Sequence, residues 1–274
     1  MPLLRFPILV ILLVSSAPAF ARQVRIDIET ALALADKKEY VSAVGILAPC
    51  LKATSPTKYS NLEDCLFHGD KITEKAVRPL ASRYEKETNY GRTGVQFQNW
   101  PGVARYLEMG LDPRLGYYGG TIYEHEFLRH LRDLFPNSKY RDVYEYKLLE
   151  RGENDMASGQ QWVDALKSYR SQYPNGRYFI NATSDLANAY DDLWEILRPN
   201  SQHEHHEYFS VGDQETDTQR SEQYRALALD LYEELTRYDQ APDPYQLSLL
   251  QDARQRHKTL NDRKPSHSFY ILND

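Results

Sequence analysis

Apolar residues recur at the spacing of helix faces along most of this chain. Phe127, Leu128, Leu131 and Phe135 occupy i, i+1, i+4 and i+8, one side of a helix with 3.6 residues per turn. Pro136-Asn137-Ser138 stops that run, because proline lacks a backbone donor and disfavours helix in the residue before it. Ser138 is placed to cap a following helix, predicted to reach about Arg151. Trp162, Ala165, Leu166, Tyr169 and Tyr173 then share a face, and Pro174-Asn175-Gly176 ends that helix in the same way. A third helix is predicted from Arg177 through Ala182, Leu186, Ala189, Tyr190 and Leu193 to Leu197. The two stops echo each other thirty-eight positions apart, Phe135-Pro136-Asn137-Ser138-Lys139-Tyr140 against Tyr173-Pro174-Asn175-Gly176-Arg177-Tyr178. The trailing Tyr140 and Tyr178 are expected to pack back against the preceding helix, and inter-helix packing is the expected role of these aromatics generally.

Nearer the N-terminus, Ile28 to Lys52 reads as two helices joined at Asp36-Lys37-Lys38-Glu39. Ala31, Leu34, Tyr40, Ala43, Leu47 and Cys50 take the small and apolar positions of a helix–turn–helix unit. This unit resembles the tetratricopeptide repeat, with Lys38 where the turn usually has glycine and no tryptophan opening the unit. Residues 121–198, with their aromatic-Pro-Asn-small-basic-Tyr junctions and Ala187-Asn188-Ala189-Tyr190, resemble the tetratricopeptide-like repeats of periplasmic outer-membrane assembly lipoproteins and of the Tol-Pal coordinator family. The resemblance implies an all-α fold, a superhelical array of tetratricopeptide-like helix pairs with inserted loops. It also implies protein–protein recognition through a concave or loop-decorated face. Such motifs specify a fold better than a function.

Three segments interrupt the pattern. Residues 88–120 hold Gly91, Gly94, Gly102, Gly110, Gly116, Gly119 and Gly120 together with Trp100, Tyr117 and Tyr118. A Gly- and aromatic-rich insertion is either a long connector or a recognition loop, so Trp100, Tyr117 and Tyr118 are the candidate binding residues. The second interruption is the polar loop 200–219, and the third is the tail 263–274. Between them Leu227, Ala228, Leu231 and Leu235 mark another helix, and Pro242 and Pro244 separate it from a last one over about 245–261. The expected organisation is therefore a signal peptide at 1–21, a helical repeat region at 22–87, the insertion at 88–120, a second helical region at 121–262 and the tail.

The signal peptide follows from Arg5, the apolar run Ile8 to Val14 and the Ala19-Phe20-Ala21 ending. That run is far shorter than a membrane span of about 20 residues, and the small-residue ending fits cleavage. No Cys follows the cleavage point, so a released periplasmic chain is expected rather than a lipid-anchored one. The formal net charge of −6 becomes one unit more negative once Arg5 is removed. An acidic chain disfavours nucleic acid as a partner and offers no polybasic patch for anionic membranes. The two cysteines, Cys50 and Cys65, suit a structural disulfide in an oxidising compartment. With 21 tyrosines against 9 phenylalanines, the chain favours rings that bury a face while keeping a hydroxyl wet.

Catalytic chemistry has little footing. His203-Glu204-His205-His206-Glu207 carries metal-binding side chains, but they share one polar loop rather than rigid, separated elements. His125 and His130 lie five apart and miss the H-E-x-x-H spacing of zinc proteases. No nucleophile elbow, phosphate loop or dinucleotide fingerprint is present. Asn181-Ala182-Thr183 is a chance sequon inside a helix. The expectation is a non-catalytic periplasmic scaffold or adaptor, without cofactor or metal, whose partner is another protein. The alternatives are an immunity protein or inhibitor that neutralises a toxin or enzyme and, behind it, an envelope hydrolase lacking any recognisable motif.

Overall fold

The computed structural model describes residues 25–89, 95–116, 120–149, 156–199, 201, 209 and 212–265. The signal peptide, Tyr117, Tyr118, His203, His205, His206 and the end of the tail lie outside the described residues. Among the described residues the chain is all-α apart from one short hairpin. Its helices are α1 (Ile28–Asp36), α2 (Tyr40–Leu47), α3 (Leu62–Val77), α4 (Leu80–Glu87), α5 (Pro101–Glu108), α6 (Glu126–Leu134), α7 (Arg141–Lys147), α8 (Met156–Gln172), α9 (Phe179–Leu197), α10 (Gln214–Thr236) and α11 (Pro244–Asn261). The strands β1 (Arg114–Leu115) and β2 (Thr121–Ile122) pair antiparallel, Arg114 opposite Ile122. Among the described residues no helix is long and apolar enough to cross a membrane.

The first helix pair forms where it is expected. Asp27 caps α1 by accepting the Thr30 amide at 3.0 Å. Beyond the helix, the Lys38 and Glu39 amides turn back to the Ala35 and Leu34 carbonyls, each at 2.9 Å. This is a Schellman closure, whose first residue past the C-cap must be left-handed and is normally glycine. Lys38 takes that conformation with φ 64°. A disulfide joins Cys50 and Cys65, both buried, with Cα atoms 6.4 Å apart, tying the turn after α2 to the first turn of α3. Where α3 crosses α6, Gly69 is required because a Cβ there would collide with the Phe127 ring.

The two echoed junctions are the same structure built twice. In each, the aromatic amide bonds the previous turn (Phe135 to Leu131, 2.8 Å; Tyr173 to Tyr169, 2.9 Å) and the third residue's amide bonds back to the aromatic carbonyl at 3.0 and 2.9 Å. Tyr140 and Tyr178 then stand just before the next helix at φ, ψ of −104°, 16° and −107°, 18°. The basic residue's amide donates to a carboxylate in the first turn of an earlier helix, Lys139 to Glu63 of α3 at 3.0 Å and Arg177 to Asp142 of α7 at 2.8 Å. Four residues further along that same helix lies the aromatic partner of the tyrosine. Tyr140 stacks on Phe67 at 3.8 Å and Tyr178 on Tyr146 at 4.7 Å, with the rings nearly parallel.

Three expectations need correction here. The tyrosines stack on rings beyond the preceding helix, Tyr178 on α7 and Tyr140 on α3. Ser138 does not cap α7; its hydroxyl accepts the Tyr140 amide at 2.9 Å and donates to Glu63 at 2.6 Å, while Tyr140 takes the capping position. Moreover, α7 ends at Lys147 rather than near Arg151.

Two cores result. One gathers α1 to α7, and the other α8 to α11, with Tyr178 packed against both. At the centre of the second, α9 buries every side chain from Ile180 to Leu197 except Glu195. A helix buried all round is normally apolar throughout, yet this one carries polar groups that are individually partnered. Asn181 accepts from Gln246 at 2.7 Å, Asp185 from the Tyr146 hydroxyl at 2.6 Å, and Asn188 from the Tyr232 hydroxyl at 2.8 Å.

Two stability measurements follow. Lys38→Gly is expected to stabilise by about 0.5–1 kcal/mol in urea unfolding, because it relieves a left-handed side-chain residue at some cost in unfolded-chain freedom. Tyr178→Ala is expected to destabilise by about 2–4 kcal/mol, the range for truncating a packed aromatic.

Candidate functional site

The C-terminal half of α3 presents two faces with different chemistry. Inward, Asp70 is buried, and both of its carboxylate oxygens lie 3.1 Å from His125 Nδ1. His125 precedes α6 with φ 54°, a strained placement that such local ties hold in place. The Tyr123 ring lies 4.9 Å from the imidazole. Its hydroxyl sits near Asp70 and Thr73 without completing a hydrogen bond to either. Glu126 accepts the Asp112 amide through Oε1 at 2.9 Å, while Oε2 is buried without a partner. Burial pushes the Glu126 carboxyl above its ordinary value of 4.5; the Asp112 amide opposes this and the Asp70 and Asp112 charges add to it. His130 is held at 2.7 Å by the Ala53 carbonyl, so His125 and His130 serve separate structural contacts.

The outer face of α3 borders a cleft of about 590 Å³ between the two cores. Glu74, Lys75 and Arg78 from the end of α3, Tyr146, Lys147 and Leu149 from the end of α7, and Trp162, Tyr178 and Asn181 line it. Asp243 and Tyr245, at the start of α11, complete the lining. The volume falls within the roughly 300–1,000 Å³ of ordinary ligand pockets. The stacked Tyr146–Tyr178 pair orients the aromatic lining, and the Tyr146 hydroxyl is fixed on Asp185. Lys147 pairs with Glu74 at 3.0 Å and lies 5.6 Å from the centre of the Tyr178 ring. Burial alone would raise the Glu74 carboxyl, but the Lys147 charge and hydrogen bond outweigh it and hold the group below its ordinary value. Tyr178 is pushed up by burial and by the surrounding Glu74, Asp70 and Asp243 charges, so its hydroxyl stays neutral. Asp243 caps α11 by accepting the Gln246 amide at 2.9 Å.

The lining brings together rings, hydrogen-bonding groups and cations. Among the described residues no three His, Cys, Asp or Glu side chains are grouped so as to hold a metal ion.

Of the binding residues expected from the sequence, Trp100 is placed in the first core rather than on a surface loop. It is 4% exposed, donates its indole N–H to Glu87 at 3.0 Å and meets the Tyr84 ring at 5.8 Å. A Cβ on Gly102 would collide with the indole, so that glycine serves packing. Tyr117 and Tyr118 lie outside the described residues, as do His203, His205 and His206. The cleft residues were missed for a physical reason: Trp162 carries the helix-period signal of a core position, and Tyr178 reads as the packing ring of a junction. The overlooked signal was the Lys75 and Arg78 pair, one turn apart on a single helix.

Glu126 gives a test of the interior. A carboxyl whose folded value is raised favours the fold most below its ordinary range, and this contribution is lost as pH rises through the raised value. Glu126→Gln, permanently neutral and still able to accept the Asp112 amide, is expected to raise the thermal midpoint at pH 7–8 by about 2–4 °C. The gain should vanish below about pH 4, as read by calorimetry across pH.

No known protein family matches the chain, and no curated protein or solved structure is significantly similar to it.

Proposed function

We propose that this chain is an exported, non-catalytic scaffold or adaptor that binds another protein in the cleft between its two cores. The observation that carries the reading is the lining of that cleft. Tyr, Trp and Arg are the residue types enriched at the centres of protein interfaces, and here Tyr146, Trp162, Tyr178, Tyr245 and Arg78 converge on one concavity. The repeated junction supports a tetratricopeptide-like arrangement, in which α3, α7 and α9 are successive equivalent helices and present adjoining parts of the cleft wall. The buried Cys50–Cys65 bond supports an oxidising destination, in keeping with the signal-like N-terminus.

Tyr245 separates recognition from folding, since it is 63% exposed and exposed substitutions usually change stability by less than about 0.5 kcal/mol. Affinity capture from periplasmic extract of the source bacterium, with the mature chain and its Tyr245→Ala variant side by side, tests the proposal. A specific partner should be retained by the parent, and Tyr245→Ala should weaken its binding about tenfold or more with the melting temperature unchanged. Equal retention of the same partner by both chains would remove the cleft from the binding surface.

A further inference from the structure

The charges around the cleft do not balance. Four ionic side chains line it besides Asp243: Glu74, Lys75, Arg78 and Lys147. Glu74 and Lys147 neutralise each other at 3.0 Å. Asp243 is engaged with the amide of Gln246 and, through it, with the N-terminus of α11, where a helix end favours negative charge. Lys75 and Arg78 are exposed, and among the described residues neither has an ion-pair partner. Standing one turn apart, they give an otherwise acidic chain two exposed positive charges at this cleft, with Arg78 acting on the Glu74 carboxylate only at longer range. The rings of Trp162, Tyr178 and Tyr245 line the same cleft.

We propose that the cleft receives an acidic peptide segment of the partner, its carboxylates on Lys75 and Arg78 and an aromatic or large aliphatic side chain against Trp162, Tyr178 and Tyr245. This rests on the cleft being the partner-binding site. Charge complementarity selects the occupant. A basic segment would face two unpaired cations, and each like-charge approach is penalised. Arg78 can grip a carboxylate with two parallel N–H bonds, and Lys75 contributes a mobile point charge. The rings supply the apolar contact that the cations cannot. Both cations are solvent-exposed, so their attraction is screened by salt within about 8 Å at physiological ionic strength.

The test uses the full mature chain and two fluorescently labelled, end-blocked peptides. One is rich in glutamate around a central phenylalanine, and the other has every glutamate replaced by lysine. Anisotropy titration should show saturable binding of the glutamate peptide, about tenfold or more tighter than the lysine peptide, and weakening as salt is raised. Lys75→Glu with Arg78→Glu should weaken the glutamate peptide by about tenfold or more and improve the lysine peptide, with the melting temperature held. Equal binding of the two peptides would overturn the proposal, as would unchanged affinity in the charge-reversed variant. Competition by dextran sulfate as effective as unlabelled glutamate peptide would reassign the cations to polyanions in general and overturn it too. The two readings fail separately. If a captured partner depends on Tyr245 but ignores the charge reversal, the cleft stands as a binding site and its acidic specificity falls.

Discussion

The structure depends on one recurring contact: a carboxylate in the first turn of one helix accepts a backbone amide from a later junction, and a ring one turn along stacks on that junction's tyrosine. Glu63 with Phe67 does this for Lys139 and Tyr140, and Asp142 with Tyr146 for Arg177 and Tyr178. Proline ends the preceding helix and leaves the turn's amides without helical partners. The carboxylate accepts one of them and sets the register. The ring stack sets the distance between helices. Through these two contacts α3, α7 and α9 become equivalent members of one series, although α4, α5 and the hairpin intervene between α3 and α6.

The junctions were legible because each is local. Their Pro-Asn turn and trailing tyrosine sit within six residues, and their helix-period neighbours surround them. The αL position at Lys38 was legible for the same reason, as the place where glycine was missing. The acidic sockets were not, because Glu63 and Asp142 look like ordinary first-turn carboxylates until a segment distant in sequence docks on them. Trp100 was misplaced because glycine-rich composition suggests a surface loop, whereas Gly102 is there to admit the indole. Apart from the Lys75 and Arg78 pair the cleft has no sequence signature, since its lining comes from α3, α7, α8, α9 and the start of α11.

The interior of α9 shows a second limit of pattern reading. Its apolar stripe correctly marks one face, but the opposite face is buried as well and carries Asp185, Asn188 and Asp191. Polar residues on a helix normally mark solvent. Here they mark other helices, because Tyr146, Tyr232 and Gln246 bring hydroxyl and amide groups to meet them. An abundance of tyrosine thus supplies both the apolar bulk of the packing and the donors that make a polar central helix tolerable.

The repeated junction has a consequence for how such a chain can lengthen. The stretch from Asp142 to Tyr178 begins with a socket, Asp142 and Tyr146, and ends with the matching plug, Arg177 and Tyr178. Because its end fits its own beginning, a tandem copy would find its docking surface already present on the copy before it. Growth by duplication then needs no new complementary surface to arise, only a tolerable cap at the last unit, and one-dimensional stacks extend in this manner. In α9 the socket is not repeated: Ile180 and Ser184 occupy the places where the acid and the ring would stand, so a further junction of this kind would find no matching surface there.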